Sequence, residues 1–232
     1  MARAREVAAV RLGGLALVLA ALLFIAVFSY LAVQFDYPEV LDRPAAEVLP
    51  RLIGLGAAGR AVWTLYALIP LLLVPAGVGV WVALRDAAPG AARSAAAFAI
   101  VSAFSMMLGL LRWPSIHWHL ARAFETATAS QRTTLSAVYG GLNSYLGGYV
   151  GEFVGELTLN LFFLLTAHAI LCSPARSRWL GIAGVAASLI GFAAMLRRVT
   201  PLVAGIADAN NLALPLWLVV LGIAFIRERT TE

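Results

Sequence analysis

The stretch LGGLALVLAALLFIAVFSYLAV, from Leu12 to Val33, decides the fold class of this chain. It contains no charged residue and no proline. It exceeds the run of about 20 apolar residues that a helix needs to cross the hydrocarbon core of a bilayer. Arg3, Arg5 and Arg11 precede it, as in a secretory signal peptide, but the apolar run is too long for a signal h-region. The stretch therefore predicts a retained transmembrane helix.

Five further stretches have the same character: Ala61–Leu84, Ser94–Leu111, Val150–Leu171, Trp179–Leu196 and Leu212–Ile226. Of the 232 residues, 62% are hydrophobic and only 12% are charged, and the mean hydropathy is +0.88. This composition is typical of membrane proteins and not of soluble domains. We predict an all-α, polytopic bundle of six transmembrane helices that forms one transmembrane domain over residues 1–232, with the lipid bilayer as its partner.

Arginine supplies all of the basic charge apart from histidine, because the chain has no lysine. Schiff-base chemistry is thereby excluded, and without a basic cluster interleaved with aromatic residues we expect no nucleic acid partner. Cys172 is the only cysteine, so an intrachain disulfide and a CxxC redox site are impossible. No cofactor is indicated by the composition.

The distribution of arginine predicts the orientation in the membrane. Arginine is denser in the segments 1–11, 85–93, 173–178 and 227–232 than in 34–60, 112–149 and 197–211. Because segments rich in arginine remain in the cytoplasm, both termini are expected to be cytoplasmic.

Two of the outer segments look like more than connectors. Residues 35–59, FDYPEVLDRPAAEVLPRLIGLGAAG, predict a short loop followed by a helix at the membrane interface. In the segment 112–149, Trp113 and Trp118 suit the headgroup level, and Pro114 suits the first turn of a helix. We therefore add two outer interfacial helices to the predicted bundle.

The fourth apolar stretch carries two acidic residues where lipid would be expected. Glu152 and Glu156 are one helical turn apart, and Asn160 extends the same ridge by another turn. Beside them runs a stripe of small residues, which typically lets helices approach closely and offers a packing surface for another helix, a second copy or a partner protein. The members of this stripe are Gly147, Gly151 and Gly155.

Carboxylates in a membrane require a partner or a function. Arg112 is the expected counter-charge, and Arg60, Arg197 and Arg198 end their helices at a similar depth. One interpretation is a structural ion pair. The other is an outward-facing polar pocket in which Glu152, Glu156, Asn160, Arg112 and Arg60 bind a ligand.

Two shorter motifs complete the candidates. His117 and His119 could chelate a metal if the chain were extended there, whereas in a helix their rings would point apart. Asp208 or Asn210 is the expected N-cap of the sixth helix.

Several polar landmarks together resemble a known family. FDYPEVLDRPAAEVL at 35–49, LGLLRWP at 108–114, GEFVGELTLNLFFLLTA at 151–167 and RSRWLG at 176–181 resemble bacterial membrane proteins grouped as domain of unknown function 4386. The resemblance covers nearly the whole chain. It implies a protein of the bacterial cytoplasmic membrane, and it implies neither an activity nor functional residues.

Three functions remain open at this point. The first is a ligand-binding or accessory membrane protein. The second is a membrane-embedded enzyme that uses Glu152 and Glu156, either without a metal or with one held by His117 or His119. The third is a small transporter coupled to protons or cations, although no internal repeat supports it.

Overall fold

The structure is a computed structural model that describes residues 2–228, apart from the side chains of Ala2 and Arg198. Helices make up about 90% of it, and the described residues contain no β-strand. Six helical stretches are long and apolar enough to span a membrane: Arg3–Phe35, Gly56–Leu84, Pro89–Thr126, Ala129–Cys172, Arg178–Arg197 and Pro201–Ile226. Each predicted span lies within one of them. The predicted all-α membrane bundle of six spans is therefore confirmed.

The described residues form ten α-helices, and all of them except α2 belong to the six spans. The helices are α1 (Ala2–Phe35), α2 (Ala45–Gly54), α3 (Gly56–Leu68), α4 (Leu73–Leu84), α5 (Pro89–Leu111), α6 (Trp118–Thr126), α7 (Ala129–Leu142), α8 (Gly155–Cys172), α9 (Arg178–Ala194) and α10 (Ala204–Ile226). A 3-10 segment, Ile69–Leu72, joins α3 to α4 within the second span. Two π-helical segments, Trp113–His117 and Asn143–Val154, join α5 to α6 and α7 to α8.

The first and last described residues lie on one side of the bundle, which we call the terminal side. Two ion pairs mark it: Arg85 binds Glu6 at 2.6 Å, and Arg176 binds Glu228 at 2.7 Å. The opposite side, which we call the loop side, carries α2, α6 and α7. Six spans return the chain to its starting side, as the sequence predicts.

The first span packs between the second and the sixth. Gly14 of α1 meets the backbone of α10 so closely that a Cβ atom there would lie 2.6 Å from the carbonyl oxygen of Gly222. Only glycine permits such an approach, and backbone proximity of this kind replaces hydrophobic burial as the packing force in lipid. The first and sixth spans therefore pack in direct backbone contact near the terminal side.

An aromatic core holds the loop side together. Trp63 and Trp113 stack with ring centroids 4.8 Å apart, and Phe35 meets Trp113 edge to face at 5.4 Å. Each of these three side chains is fully buried. Because they come from the first, second and third spans, the core fixes the ends of these spans against each other.

The loop-side helices differ in how they meet the membrane spans. The helix α2 is a separate helix whose buried face, with Val48, Leu49 and Leu52, lies on the aromatic core. The helix α6 continues the third span, because the π-helical segment carries the chain past Pro114. Proline has no N–H, so the bond to the carbonyl of residue 110 cannot form, and His117 N–H instead donates to Arg112 at 2.7 Å.

Candidate functional site

A cavity of about 170 Å³ lies inside the bundle, towards the loop side. Five of the six spans contribute to its wall, through residues that include Phe24, Tyr66, Arg112, Glu152 and Asn210. The fifth span reaches the same place through ion pairs with the wall. The structure thus gathers polar residues from distant parts of the sequence around one space within an apolar bundle.

Glu152 and Glu156 both line this cavity and both bind Arg197. One guanidinium nitrogen lies 2.5 Å from Glu156 Oε1 and 3.1 Å from Glu152 Oε2, and the other lies 2.7 Å from Glu156 Oε2. The two carboxylate side chains are 19% and 13% exposed and the arginine 28%. This bidentate geometry is the strongest form of arginine–carboxylate pairing, and it places one cation between two like charges.

The sequence predicts Arg112 as the counter-charge of Glu152 and Glu156, whereas the ion pairs described above are made by Arg197. Arg112, the expected counter-charge, lines the same cavity and donates to Gly109 O at 2.5 Å and to Asn143 Oδ1 at 3.1 Å. The cation that bridges both carboxylates is Arg197. The side chain of Arg198 lies outside the part that the structure describes.

The structure does not bring Arg60 to the cavity. Its Nε donates to the carbonyl of Pro114 at 2.9 Å, and its guanidinium lies 5.4 Å from the ring of Trp118. Arg60 lies at the start of the second turn of α3, on the face that meets the third span after α5. It is therefore not among the residues that line this cavity.

Asn160 also lies apart from the cavity. It is 2% exposed and faces Gly191 of α9, where a Cβ atom would collide with its side-chain oxygen. The residue is only about 40° round the helix from Glu156, so both face the fifth span. Glu156 meets Arg197 at the end of that span, and Asn160 packs deeper against its glycine.

The glycine stripe of the fourth span faces α5. Gly151 opposes Gly109, and a Cβ atom on Gly151 would lie 2.9 Å from the Cα of Gly109. Gly155 meets Met106, and Gly147 lies under the guanidinium of Arg112. The stripe is thus occupied within the same chain, by residues of the third span.

The two histidines point in different directions. His117 is fully buried, with its ring 4.8 Å from Trp113 and 4.6 Å from Tyr139. His119 is exposed. The segment is helical, so the two rings do not converge as a chelate, and residues 2–228 present no group of three or more His, Cys, Asp or Glu that could hold a metal.

Two neighbouring asparagines of the sixth span, Asn210 and Asn211, belong to the cavity wall. The expected N-cap at Asp208 or Asn210 is wrong, because α10 begins at Ala204 and carries both residues inside the helix. Asn210 and Asn211 line the cavity, the first being 7% exposed and the second exposed. Two polar side chains inside a spanning helix could have indicated a polar site. The prediction missed it because the apolar run used to define the sixth span begins only at Leu212.

Two tyrosines were missed altogether. Tyr37, from the loop after α1, and Tyr66, from α3, line the cavity with ring centroids 6.1 Å apart. Burial raises the pKa of the Tyr37 hydroxyl, and the negative charge of Glu152 raises it further. Tyr37 therefore remains a neutral phenol that can donate a hydrogen bond at physiological pH.

Helical regularity breaks where the chain meets the cavity. Pro70 and Pro215 have no N–H, so the carbonyls four residues earlier, of Tyr66 and Asn211, lose their usual helical donors. Tyr66 and Asn211 both line the cavity. The π-helical segment Asn143–Val154 forms another part of the wall. Irregular backbone at membrane depth is tolerated where it is buried or lines a cavity, and π segments are frequent at functional sites.

The comparisons with known proteins identify a family and no activity. The model of a family described as "Domain of unknown function (DUF4386)" matches residues 12–222, from the first span into the sixth. No curated protein and no solved structure matches the chain. The cavity and its polar wall therefore carry the functional argument.

Proposed function

Because the chain belongs to the DUF4386 family of membrane proteins, whose description assigns no activity, we propose its function from the cavity: it binds a membrane amphiphile, head group inward. The observation that carries the proposal is one space with an apolar wall and a polar end. Leu73, Leu110 and Leu218 belong to the apolar wall, and Tyr37 and Arg112 to the polar end. Ligand sites are typically mostly apolar with a few placed polar groups.

The charges at the polar end favour a head group with no net charge. Arg112 and Arg197 carry two positive charges, and Glu152 and Glu156 carry two negative ones. Among the described side chains these formal charges cancel, so neither an anion nor a cation finds a site of the opposite sign. A neutral or zwitterionic head that forms hydrogen bonds fits this balance.

The surroundings of the cavity supply a route for the ligand. Asn211 lines the cavity and is itself exposed, and we therefore place the opening of the cavity beside this residue. Leu212, next to it, is 77% exposed on a spanning helix, which places lipid beside the opening. An amphiphile can therefore enter sideways from the bilayer without crossing water.

The proposal includes an orientation. Following the arginine distribution, we place the terminal side in the cytoplasm of a bacterial cell and the loop side outside the cytoplasmic membrane. The cavity then lies in the outer half of the membrane.

A small transporter is the second candidate. The specific observation in its favour is that the second span changes from α-helix to a 3-10 segment at Ile69–Leu72, where Ile69 and Pro70 line the cavity. Interrupted helices form the binding sites of many transporters. The enzyme alternative uses Glu152 and Glu156, and no specific observation favours it, since both carboxylates bind Arg197.

Filling the cavity tests the proposal. Ala20 lines the cavity, whereas Ala26 on the same helix is exposed. Ala20→Phe should abolish copurification of a specific amphiphile, because the added ring occupies its space, and Ala26→Phe should retain it. The measurement is solvent extraction of each purified protein followed by mass spectrometry, with thermal melting in detergent to verify folding.

Two results decide the matter. The proposal is contradicted if Ala20→Phe is folded and solvent extraction releases the same molecules from it, in the same amounts, as from Ala26→Phe. If Ala20→Phe aggregates, Leu214→Phe at a less buried part of the wall takes its place, with the same expected loss. Transport by proteoliposomes of the copurified molecule would favour the second candidate.

A further inference from the structure

We propose that the head group held in the cavity is an uncharged ring with oxygen acceptors, the chemistry of a quinone with an isoprenoid or alkyl tail. This inference rests on the proposed function and names its ligand class. Four properties of the cavity support it: its size, its aromatic wall, its hydrogen-bond donors and the opening that we place beside Asn211.

The size of the cavity matches one ring. An engineered apolar cavity of about 150 Å³ holds a benzene molecule. At about 170 Å³, this cavity accommodates a six-membered ring with small substituents. Two acyl chains and a phosphate do not fit the same space, so a phospholipid would leave most of itself outside.

The wall of the cavity offers aromatic edges and faces to a flat ligand. Tyr66 stands between Phe24 and Tyr37, with centroid distances of 6.0 Å and 6.1 Å, and the two tyrosine rings are nearly perpendicular. Aromatic rings attract one another in edge-to-face and offset arrangements at centroid distances of about 4.5–7 Å. A flat ring in the cavity can extend this cluster by one member.

Three elements of the fold contribute hydrogen-bond donors to the wall of the cavity. A quinone ring carries two carbonyl acceptors on opposite edges and no donor. Tyr37, from the loop after α1, is a neutral donor, while Asn210 comes from α10 and Arg112 from the end of α5. These donors suit carbonyl oxygens, and the carboxylates of Glu152 and Glu156 in the same wall disfavour a phosphate.

The position of the opening completes the argument. A quinone tail must remain in hydrocarbon while its ring is held inside the protein. Leu214 and Leu218 line the cavity on the same helix as Asn211, beside which we place the opening. The tail therefore has an apolar path from the ring to the bilayer.

The experiment compares two defined probes on the full chain in detergent. The first is decylubiquinone, a benzoquinone with a ten-carbon tail, and the second is diheptanoyl phosphatidylcholine. We expect decylubiquinone to raise the melting temperature saturably and to quench tryptophan fluorescence, because Trp63 lies only 5.7 Å from the Tyr37 ring. Phosphatidylcholine should do neither at matched concentrations.

A matched pair of tyrosine variants locates the site. Tyr37→Phe removes one donor and keeps the ring, so binding of decylubiquinone should weaken about three- to tenfold. Tyr149→Phe makes the same change at a residue that is 52% exposed, and its affinity should equal that of the wild type. Melting of the variants without ligand verifies that both fold.

Each outcome separates this inference from the function on which it rests. Stabilisation by phosphatidylcholine and not by decylubiquinone overturns the ring proposal and leaves amphiphile binding standing. Equal affinity of Tyr37→Phe and Tyr149→Phe for decylubiquinone also overturns it, because the ring would then bind elsewhere. If neither probe binds, and solvent extraction releases the same molecules from Ala20→Phe as from Ala26→Phe, both the ring proposal and the proposed amphiphile binding are wrong.

Discussion

At the scale of single residues, the site depends on Arg197. Its guanidinium binds Glu152 and Glu156 together, at 3.1 Å and 2.5 Å. Arg197→Gln should destabilise the protein by about 1–3 kcal/mol, since breaking a fully buried pair costs about 3–5 kcal/mol and these side chains keep some solvent contact. Thermal melting in detergent measures the change, and a lysine at the same position should recover only part of it, because an ammonium cannot form the bidentate pair.

An exposed arginine provides the control for this prediction. Arg178 lies exposed at the start of α9, so Arg178→Gln should melt like the wild type. Combining Arg197→Gln with Glu156→Gln removes one of the two like charges and should regain stability. A melting temperature for Arg197→Gln equal to that of Arg178→Gln would show that the ion pairs contribute nothing measurable.

At the scale of the elements, the contact between the third and fourth spans rests on paired glycines. Gly151 faces Gly109 backbone to backbone, so Gly151→Leu should separate the two helices and lower stability by more than the about 1–3 kcal/mol of ordinary overpacking. The same contact sets the position of Arg112 and Glu152 in the cavity wall. Melting and monodispersity in detergent report the loss.

The fourth span contains its own control. Gly141 is exposed, and nothing lies within 4 Å of the position of its missing Cβ. Gly141→Leu should therefore leave stability unchanged or raise it slightly, because leucine favours a helix over glycine by close to 1 kcal/mol. If both leucine variants melt alike, the helices are not in the close contact described here.

At the scale of the whole molecule, six spans place the first and last described residues on one side and the loop-side helices opposite them. In a background with Cys172→Ser, Asp42→Cys should react with a membrane-impermeant maleimide in intact cells, because Asp42 is exposed on the loop side. Asp86→Cys should react only after lysis, since Asp86 lies on the terminal side with its side chain 98% exposed. The reverse pattern of labelling would invert the proposed orientation.

The six spans can be predicted from the residues alone, because hydropathy over some twenty residues is a local property and lipid selects for it directly. The shared ridge of Glu152 and Glu156 beside Gly151 is equally local, since the period of a helix sets which neighbours along one helix lie together. That Arg197 binds the pair and that Arg60 lies elsewhere depends on the tertiary fold. Several arginines end their helices at a similar depth, and the choice among them follows from how the spans pack. The cavity also depends on how the spans pack. Tyr37, Tyr66 and Asn210 are far apart along the chain, and the periodicity of a single helix does not predict which faces of different helices meet.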